Sequence, residues 1–323
     1  MSMRRFVASG PSEASRRDFA EDVAYSLAQS PRQLPSRYLY DELGSSLFEA
    51  VCRLPWYRIA RIEQSLLRSH ANAIFSCLPP VSTVVELGPG SGEKLVTLLG
   101  ALPARGATVH LVDVSPAALD NAASALAASS SLTVATHHAT YEEGLAAIGR
   151  SGAAAGQTLI VFLGSNIGNF DPPGTDTLLR GIRAALGPGD ALLLGTDLVK
   201  PEPELLLAYD DPLGVTAAFN LNLLVRVNRE LGGDFDVSRF SHRAAWNGPE
   251  SRVEMHLVSG CRQRVRVRES RIDITLDAGE SIWTESSYKY RLDDLAPMLS
   301  RAGFHVAGQW QESGFSLTLA AVR

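Results

Sequence analysis

The sequence predicts an α/β fold, with a doubly wound, largely parallel sheet and an inserted α+β domain. From Val81 to about residue 200, short apolar runs alternate with helical stretches, a pattern typical of parallel strands covered by helices on both faces. Alternation of polar and apolar residues then dominates residues 239–290, and a last helix and two strands close the chain. We therefore expect two domains, which comprise residues 60–200 with 288–323, and residues 1–59 with 201–287.

Each unit of the first half consists of a strand, a turn and a helix. The strands are "STVVELGPGSG", "ATVHLVDVS", "SLTVATHHA", "QTLIVFLGSNIG" and "GPGDALLLGTDL". Helical stretches follow the first four, for example "EKLVTLLGAL" and "TDTLLRGIRAAL". Pro116 suits the first turn of the second of these helices, where its missing N–H would have no intrahelical partner in any case. Parallel strands need such crossover connections.

The second half has a different pattern. Residues 201–232 read as helices, and five alternating strands follow: "RFSHRAAWN", "RVEMHLVSG", "RQRVRVRES", "RIDITLDAG" and "SIWTESSYKY". The alternation predicts one antiparallel sheet with a solvated face, in which the basic third strand is a charged edge that resists aggregation. The helix "RLDDLAPMLSRAGF" and a hairpin with its turn at Glu312–Gly314 complete the first domain.

The segment "WTESSYKY" in the last of those strands places a carboxylate and a hydroxyl two residues apart. Alternation puts Glu285, Ser287 and Trp283 on one face, and Thr284, Ser286 and Tyr288 on the other. The period alone does not decide whether the first face is wet or lines a pocket.

The composition favours a soluble protein with small-molecule partners. The 323 residues are 45% hydrophobic and 20% charged, and the net charge of −5 gives no basic footprint for nucleic acid or an anionic membrane. No apolar run reaches the roughly 18 residues of a membrane span, and the N-terminus lacks the apolar stretch of a signal peptide. Cys52, Cys77 and Cys261 form no CxxC pair, which favours reduced thiols in the cytoplasm. We expect a monomer.

A glycine-rich loop follows the first strand, in "VVELGPGSGEK". Gly88, Gly90 and Gly92 would let the backbone approach a ligand closely, and the N-terminus of the following helix can bind an anionic group. Plain turn glycines, a dinucleotide site and an S-adenosylmethionine (SAM) site all fit such a loop. Glu86, two residues ahead of the GxGxG spacing, and the closing hairpin favour SAM over NAD.

Asp113 ends the second strand, where a carboxylate can accept hydrogen bonds from both ribose hydroxyls of a nucleoside. A helix cap is the alternative, for which Ser115 also competes. His137 and His138 suggest a metal pair, but adjacent strand residues face opposite ways. We therefore assign no metal.

Seven segments together resemble the histidine Nα-methyltransferases of ergothioneine biosynthesis. They are "YLYDELGSSLFEAVCRLPWY", "VELGPGSGEK", "FLGSNIGNF", "LLLGTDLVK", "AYDDPLGVTAAFNLNLL", "RVEMHL" and "TESSYK". The resemblance covers nearly the whole chain. It implies a class I SAM-dependent methyltransferase fold with a seven-stranded sheet and an inserted substrate domain. It also implies SAM as methyl donor, S-adenosylhomocysteine (SAH) as product, and successive methylation of the α-amine of L-histidine to the trimethylated betaine, hercynine.

The resemblance further implies site residues. For the donor they are Tyr40, Gly88, Gly90, Lys94, Asp113, Thr140, Tyr141 and Gly164. For the substrate they are Tyr57, Asn166, Asn169, Tyr209, Met255, Glu285 and Ser287. In the family, the asparagine of "IGN" and the tyrosine of "AYDD" hold the amino-acid end, and the glutamate and serine of "TESS" hold the imidazole. Tyr57 and Asn169 are the expected catalytic residues.

The chain also departs from the family pattern. Thr140 and Tyr141 stand where the family usually has an Asp-Phe pair, and Asn166 stands where threonine is common. These departures leave open the number of methyl transfers and the exact amino acid. An N-methyltransferase of another amino acid, such as tryptophan, and a catalytically silent SAM-binding subunit are the alternatives. Packing roles for Tyr57, Tyr209 and Met255 are the ordinary alternatives for single residues.

Overall fold

The structure is a computed structural model that describes residues 13–103, 106–127, 132–150 and 156–322. The first twelve residues, on which much of the signal-peptide prediction rests, lie outside that part. The α-helices are α1 (Glu13–Leu27), α2 (Glu42–Arg53), α3 (Ile59–Ser76), α4 (Glu93–Leu99), α5 (Pro116–Leu126), α6 (Tyr141–Arg150), α7 (Pro172–Ala184), α8 (Glu202–Tyr209), α9 (Val215–Leu231) and α10 (Leu292–Arg301). The strands are β1 (Arg32–Gln33), β2 (Val81–Leu87), β3 (Thr108–Asp113), β4 (Thr133–His138), β5 (Gln157–Phe162), β6 (Ala191–Asp197), β7 (Phe240–Asn247), β8 (Arg252–Ser259), β9 (Gln263–Val267), β10 (Ile272–Leu276), β11 (Ser281–Tyr288), β12 (Phe304–Glu312) and β13 (Phe315–Val322).

A seven-stranded sheet forms the centre of the fold, in the order β12-β13-β6-β5-β2-β3-β4. Strands β2 to β6 pair in parallel, while β13 runs antiparallel to both of its neighbours. The strand order reverses between β2 and β5, which places a crevice at their carboxyl ends, where ligands bind in doubly wound sheets. The predicted α/β class is confirmed.

The central strands are buried on both faces, because helices cover the sheet on each side. In β5, Leu159 and Val161 point into the larger apolar cluster, and Ile160 and Phe162 point into the smaller one. Alternate residues of a strand face opposite ways, so continuous apolar runs are what this position requires. Pro116 occupies the first turn of α5, as expected.

A second sheet has the order β1-β11-β8-β7. The expectation of one five-stranded antiparallel sheet is wrong in two respects. Strands β9 and β10 form a separate hairpin, on which Arg264 and Arg266 pair with Asp273 in solvent. The two-residue strand β1 adds to β11 in parallel, and so short a strand has no period that a sequence can reveal.

A β-bulge corrects the prediction for Trp283. The register of β11 against β8 shifts between Trp283 and Glu285, so that Trp283 faces His256 while Glu285 faces Met255. A bulge inserts one residue and reverses the phase of the strand beyond it. Trp283 therefore lies on the outer face, stacked on His256 with ring centroids 6.2 Å apart, and not beside Glu285 and Ser287.

The division into two domains stays a prediction, since one apolar cluster contains residues of both proposed parts, among them Val23, Leu66, Leu95 and Met255. The three cysteines are free thiols. None of the helices in the described ranges is both long enough and apolar enough to cross a membrane.

Candidate functional site

Two connected cavities lie at the carboxyl ends of β2 and β5. The inner cavity has an empty volume of about 450 Å³, and the outer cleft, which opens along the glycine loop, has about 1610 Å³. Both are lined by Phe48, Tyr57, Gly164 and Asn166. A molecule in the inner cavity can therefore meet one in the outer cleft at this junction.

The glycine loop forms one side of the outer cleft. Gly88, Gly90 and Gly92 have φ values of 73°, 55° and 77°, a backbone region that favours glycine. A Cβ on Gly88 would lie 2.7 Å from Asn166 Nδ2 and 2.9 Å from Tyr141 Oη, whereas one on Gly90 would meet nothing within 4 Å. Gly88 thus permits close packing, and Gly90 borders open space.

Lys94 of α4 pairs with Glu63 of α3 at the cleft wall. The Glu63 side chain is fully buried, and its carboxylate also accepts hydrogen bonds of 2.9 and 2.8 Å from the Gly164 backbone N–H. Glu63 therefore fixes both Lys94 and the end of β5. Sequence reasoning missed this role, because its partners lie 31 and 101 residues away and no local pattern connects them.

Glu86 is a buried carboxyl group that lines the outer cleft at the end of β2. Burial raises its pKa to about 8, against the opposing effect of Lys94. Its Oε2 atom has no hydrogen-bond partner within the protein. A buried acceptor without a partner destabilises the protein, so a hydrogen-bond donor of a bound ligand would be stabilised at this position.

Three of the expected donor residues lie outside the linings of both cavities. Asp113 Oδ1 accepts a 2.8 Å hydrogen bond from the Ser115 N–H, and burial raises the pKa of this carboxyl group to about 6. Ser115 itself caps α5. Thr140 and Glu143 form a reciprocal capping box at the start of α6, and Tyr141 reaches the loop at Gly88. Ser115, the competing candidate, is therefore the N-cap, and the role of Asp113 as a ribose acceptor stays a prediction.

Aromatic side chains build one wall of the inner cavity. Tyr40 and Phe48 meet edge-on at 5.5 Å between centroids, and Phe48 with Tyr57 and Tyr57 with Tyr209 do so at 6.0 Å. Burial raises the pKa values of Tyr40 and Tyr57 well above the ordinary value, so these phenols stay neutral. Tyr40, which the resemblance implies for the donor, lines the inner cavity and not the outer cleft.

The opposite wall carries the polar residues of β11. Glu285 and Ser287 are buried and line the cavity beside Met255. Burial raises the pKa of Glu285 to about 7, and the Lys289 cation works in the opposite direction. The face of "WTESSYKY" that carries Glu285 and Ser287 therefore lines a cavity, where both side chains are buried.

A short 3₁₀ helix, Asn166–Asn169, holds both candidate asparagines. It begins after Ser165, whose φ is 57°, and it packs tightly on β11. A Cβ on Gly168 would lie 2.7 Å from the Tyr288 carbonyl oxygen, so the contact requires glycine. The "IGN" and "TESS" segments, more than a hundred residues apart in the chain, are thus brought to one cavity.

Lys289 is a buried lysine behind the cavity wall. Its Nζ atom donates to Tyr209 Oη at 2.7 Å and to Ser287 Oγ at 2.9 Å, and it pairs with Asp197 Oδ2 at 3.0 Å. Sequence reasoning missed this residue, although a signal was present. Glu285, Ser287 and Lys289 share one phase of the strand period.

The structure therefore gathers the expected substrate residues, and Tyr40 with them, around the inner cavity. It places Gly88, Gly90, Lys94 and Gly164 along the outer cleft. The individual roles of all these residues stay predictions. No group of three or more His, Cys, Asp or Glu side chains within the described ranges could hold a metal ion.

Comparison with known proteins identifies the family. The model of the histidine-specific, SAM-dependent methyltransferases matches residues 19–323. The chain belongs to this family. Its doubly wound seven-stranded sheet is accordingly that of a class I SAM-dependent methyltransferase.

The curated relatives agree with this assignment. The methyltransferase is 43% identical, over 305 residues, to the histidine N-alpha-methyltransferase of Mycobacterium tuberculosis, covering 93% of this chain and 94% of the relative. It is 39% identical over 319 residues to the enzyme of that name from Mycolicibacterium smegmatis, covering 97% of each chain. It is 28% identical over 270 residues to ergothioneine biosynthesis protein 1 of Neurospora crassa, covering 79% of this chain and 31% of the relative.

The outer cleft fits SAM on structural grounds. SAM is cationic at its sulfonium centre and carries an ammonium group, and the unpartnered Oε2 atom of Glu86 offers a buried acceptor beside the cleft. The open space at Gly90 leaves room along the loop. Lys94 and the loop backbone are suited to the carboxylate end of the same molecule.

Proposed function

We propose that this methyltransferase transfers methyl groups from SAM to the α-amino group of L-histidine, three times in succession, to give hercynine. The observation that carries the proposal is the buried carboxyl group of Glu285 beside the Ser287 hydroxyl, in the inner cavity that adjoins the outer cleft. The names of the two mycobacterial relatives support the amino position.

Recognition of the imidazole would come from Glu285 and Ser287. A neutral imidazole has one donor and one acceptor nitrogen. Glu285 accepts from the donor nitrogen, and the hydroxyl group beside it can donate to the other. Hydrogen bonds made in so dry a pocket reject side chains that lack the ring nitrogens, because buried polar groups would then lose their partners.

The amino-acid end would lie at the junction of the two cavities. Asn166 and Asn169 offer amide groups from the 3₁₀ helix, and Tyr209 offers its hydroxyl group from the end of α8. Tyr57 lines both cavities, so its ring is placed to face the nitrogen as that atom becomes cationic. An aromatic face attracts such a cation.

Catalysis then depends chiefly on alignment. SAM supplies a methyl group that its sulfonium centre already activates. The protein has to hold the deprotonated amine in line with it and exclude water, and such positioning contributes about 7–11 kcal/mol. The amine proton can leave through water or the Tyr57 hydroxyl group, which stays neutral and acts as a relay, because burial raises its pKa.

Mass spectrometry of reactions with SAM and each of the twenty amino acids tests the proposal. We expect histidine to acquire one, two and finally three methyl groups, and tryptophan to acquire none. An absence of methylated histidine would refute the proposal. A silent subunit would bind SAM or SAH in the same samples without forming product. We further propose a monomer that acts in the cytoplasm, which size-exclusion chromatography and cell fractionation can check.

A further inference from the structure

Lys289 has no exposed surface on its side chain, yet it carries three polar contacts. Its Nζ atom contacts Tyr209 Oη, Ser287 Oγ and Asp197 Oδ2 at 2.7, 2.9 and 3.0 Å. An ammonium group has three donors and no acceptor, so each of its N–H groups has one partner. Burial acts against the charge, but Tyr209 and Asp197 outweigh it and raise the pKa of Lys289.

The two hydroxyl groups beside this lysine are also hydrogen-bonded to each other. Tyr209 Oη and Ser287 Oγ lie 2.8 Å apart. Both oxygen atoms accept from Lys289, so neither can direct its own proton towards the ammonium group. One hydroxyl group donates to the other, and the remaining O–H proton is left for the inner cavity, which both residues line. Without the lysine, the pair could turn a lone pair towards the cavity instead.

We propose that Lys289 is a positioning residue: it orients the Tyr209–Ser287 pair so that Tyr209 donates to Ser287, and the Ser287 hydroxyl group donates to the acceptor nitrogen of the substrate ring. The inference rests on the proposed function. The cavity then offers one hydrogen-bond donor from this pair and one acceptor from Glu285. These match the two ring nitrogens of a neutral imidazole, of which one accepts and one donates.

The charges around Glu285 agree with this arrangement. Tyr40, Tyr57 and Tyr209 face the cavity from the N-terminal segments and α8, and burial raises the pKa of all three phenols, so they are neutral. Met255 across the sheet carries no charge. The positive charge that acts on Glu285 is that of Lys289, which lowers the pKa of Glu285 against the effect of burial. Lys289 therefore orients the hydroxyl donor and also favours the charged form of the Glu285 acceptor.

Lys289→Met and Lys200→Met form a matched pair of variants. Lys200 also pairs with Asp197, but it does not contact the hydroxyl pair. Each variant removes one cation from the same carboxylate, so a purely structural effect transmitted through Asp197 would occur in both. Steady-state kinetics of both variants and the wild type, from pH 6 to 9, distinguishes this structural effect from a loss of the contacts between Lys289 and the hydroxyl pair.

For Lys289→Met we expect the KM for histidine to rise about tenfold or more, with the KM for SAM nearly unchanged. We also expect the acid limb of kcat/KM for histidine to move to higher pH, because Glu285 loses the cation that favours its charged form. Lys200→Met should change neither. Equal effects in the two variants, or an unchanged histidine KM in Lys289→Met, would overturn the inference.

If Lys289→Met does not fold, as judged by circular dichroism, the double variant Asp197→Asn/Lys289→Met removes both charges of the buried pair. Its KM for histidine should still rise, and a wild-type value would overturn the inference. The two proposals can fail separately. Wild-type protein that forms no methylated histidine refutes the function, whereas active wild type with an unaffected Lys289 variant refutes only the positioning role.

Discussion

Glu285 of β11 lies directly opposite Met255 of β8, and both side chains line the inner cavity. Facing residues of an antiparallel pair lie close enough to form one surface. The surface here combines a carboxyl group, 8% exposed, with a thioether side chain that is 1% exposed. An ionisable group kept so dry marks a functional-site candidate, and its chemistry can be tested directly.

Replacing Glu285 by alanine should weaken histidine binding by about 1–3 kcal/mol, because the donor nitrogen of the ring would lose its buried partner. Binding of SAH should be unchanged. Glu254→Ala is the control, since Glu254 pairs with Arg252 on the outer face of the same sheet. Isothermal calorimetry measures both affinities. Unaltered histidine affinity in Glu285→Ala would show that this carboxylate does not bind the ring.

The activity should fall as the pH drops below about 7. Burial raises the pKa of Glu285 to about 7, and protonation replaces the charged carboxylate, a strong acceptor for the ring N–H, by a neutral and weaker acceptor. The Glu285→Gln variant should lack this enzyme-derived limb of kcat/KM for histidine. The ring of free histidine, with a pKa of about 6.5, titrates alike in both reactions. An identical acid limb in the two proteins would contradict the assignment.

Glu86 should make the ligand-free protein less stable as the pH rises. Its folded pKa of about 8 exceeds the ordinary 4.5, so between these values the native state binds more protons than the unfolded state. The free energy of unfolding therefore falls through that window, by about 1.4 kcal/mol per pH unit at most. Glu86→Gln should remove this slope in urea unfolding without SAM, while Glu93→Gln, an exposed control, should retain it. Equal slopes in the wild type and Glu86→Gln would contradict the prediction.

Two glycine-to-alanine substitutions should have opposite effects on stability. A Cβ on Gly195 would lie 2.0 Å from Glu63 Oε1, whereas one on Gly181 in α7 would meet nothing within 4 Å. Gly195→Ala should displace Glu63 and destabilise the protein by roughly 1–3 kcal/mol or more. Gly181→Ala should stabilise the helix by about 0.5–1 kcal/mol. Thermal unfolding measures both, and wild-type stability of Gly195→Ala would show that the Glu63 carboxylate can move at little cost.

The sequence by itself determined the features that depend on neighbours along the chain. The apolar runs of β2 to β6, the loop at Gly88 and the Pro116 helix start follow from local periodicity and backbone preference, and the structure has all of them. The motifs that carry the family resemblance are also local, and the family is confirmed. The residues expected at the substrate pocket do line one cavity.

Tertiary structure decided the remaining features, because they depend on which segments pack together. The bulge after Trp283 exists only in the pairing of β11 with β8, so the strand period could not reveal it. Glu63 becomes a buried anchor only when α4 and the end of β5 reach it. Lys289 and Asp197 are 92 residues apart in the chain, and only the fold brings them together. A buried lysine remains charged when such a partner compensates for its lost hydration.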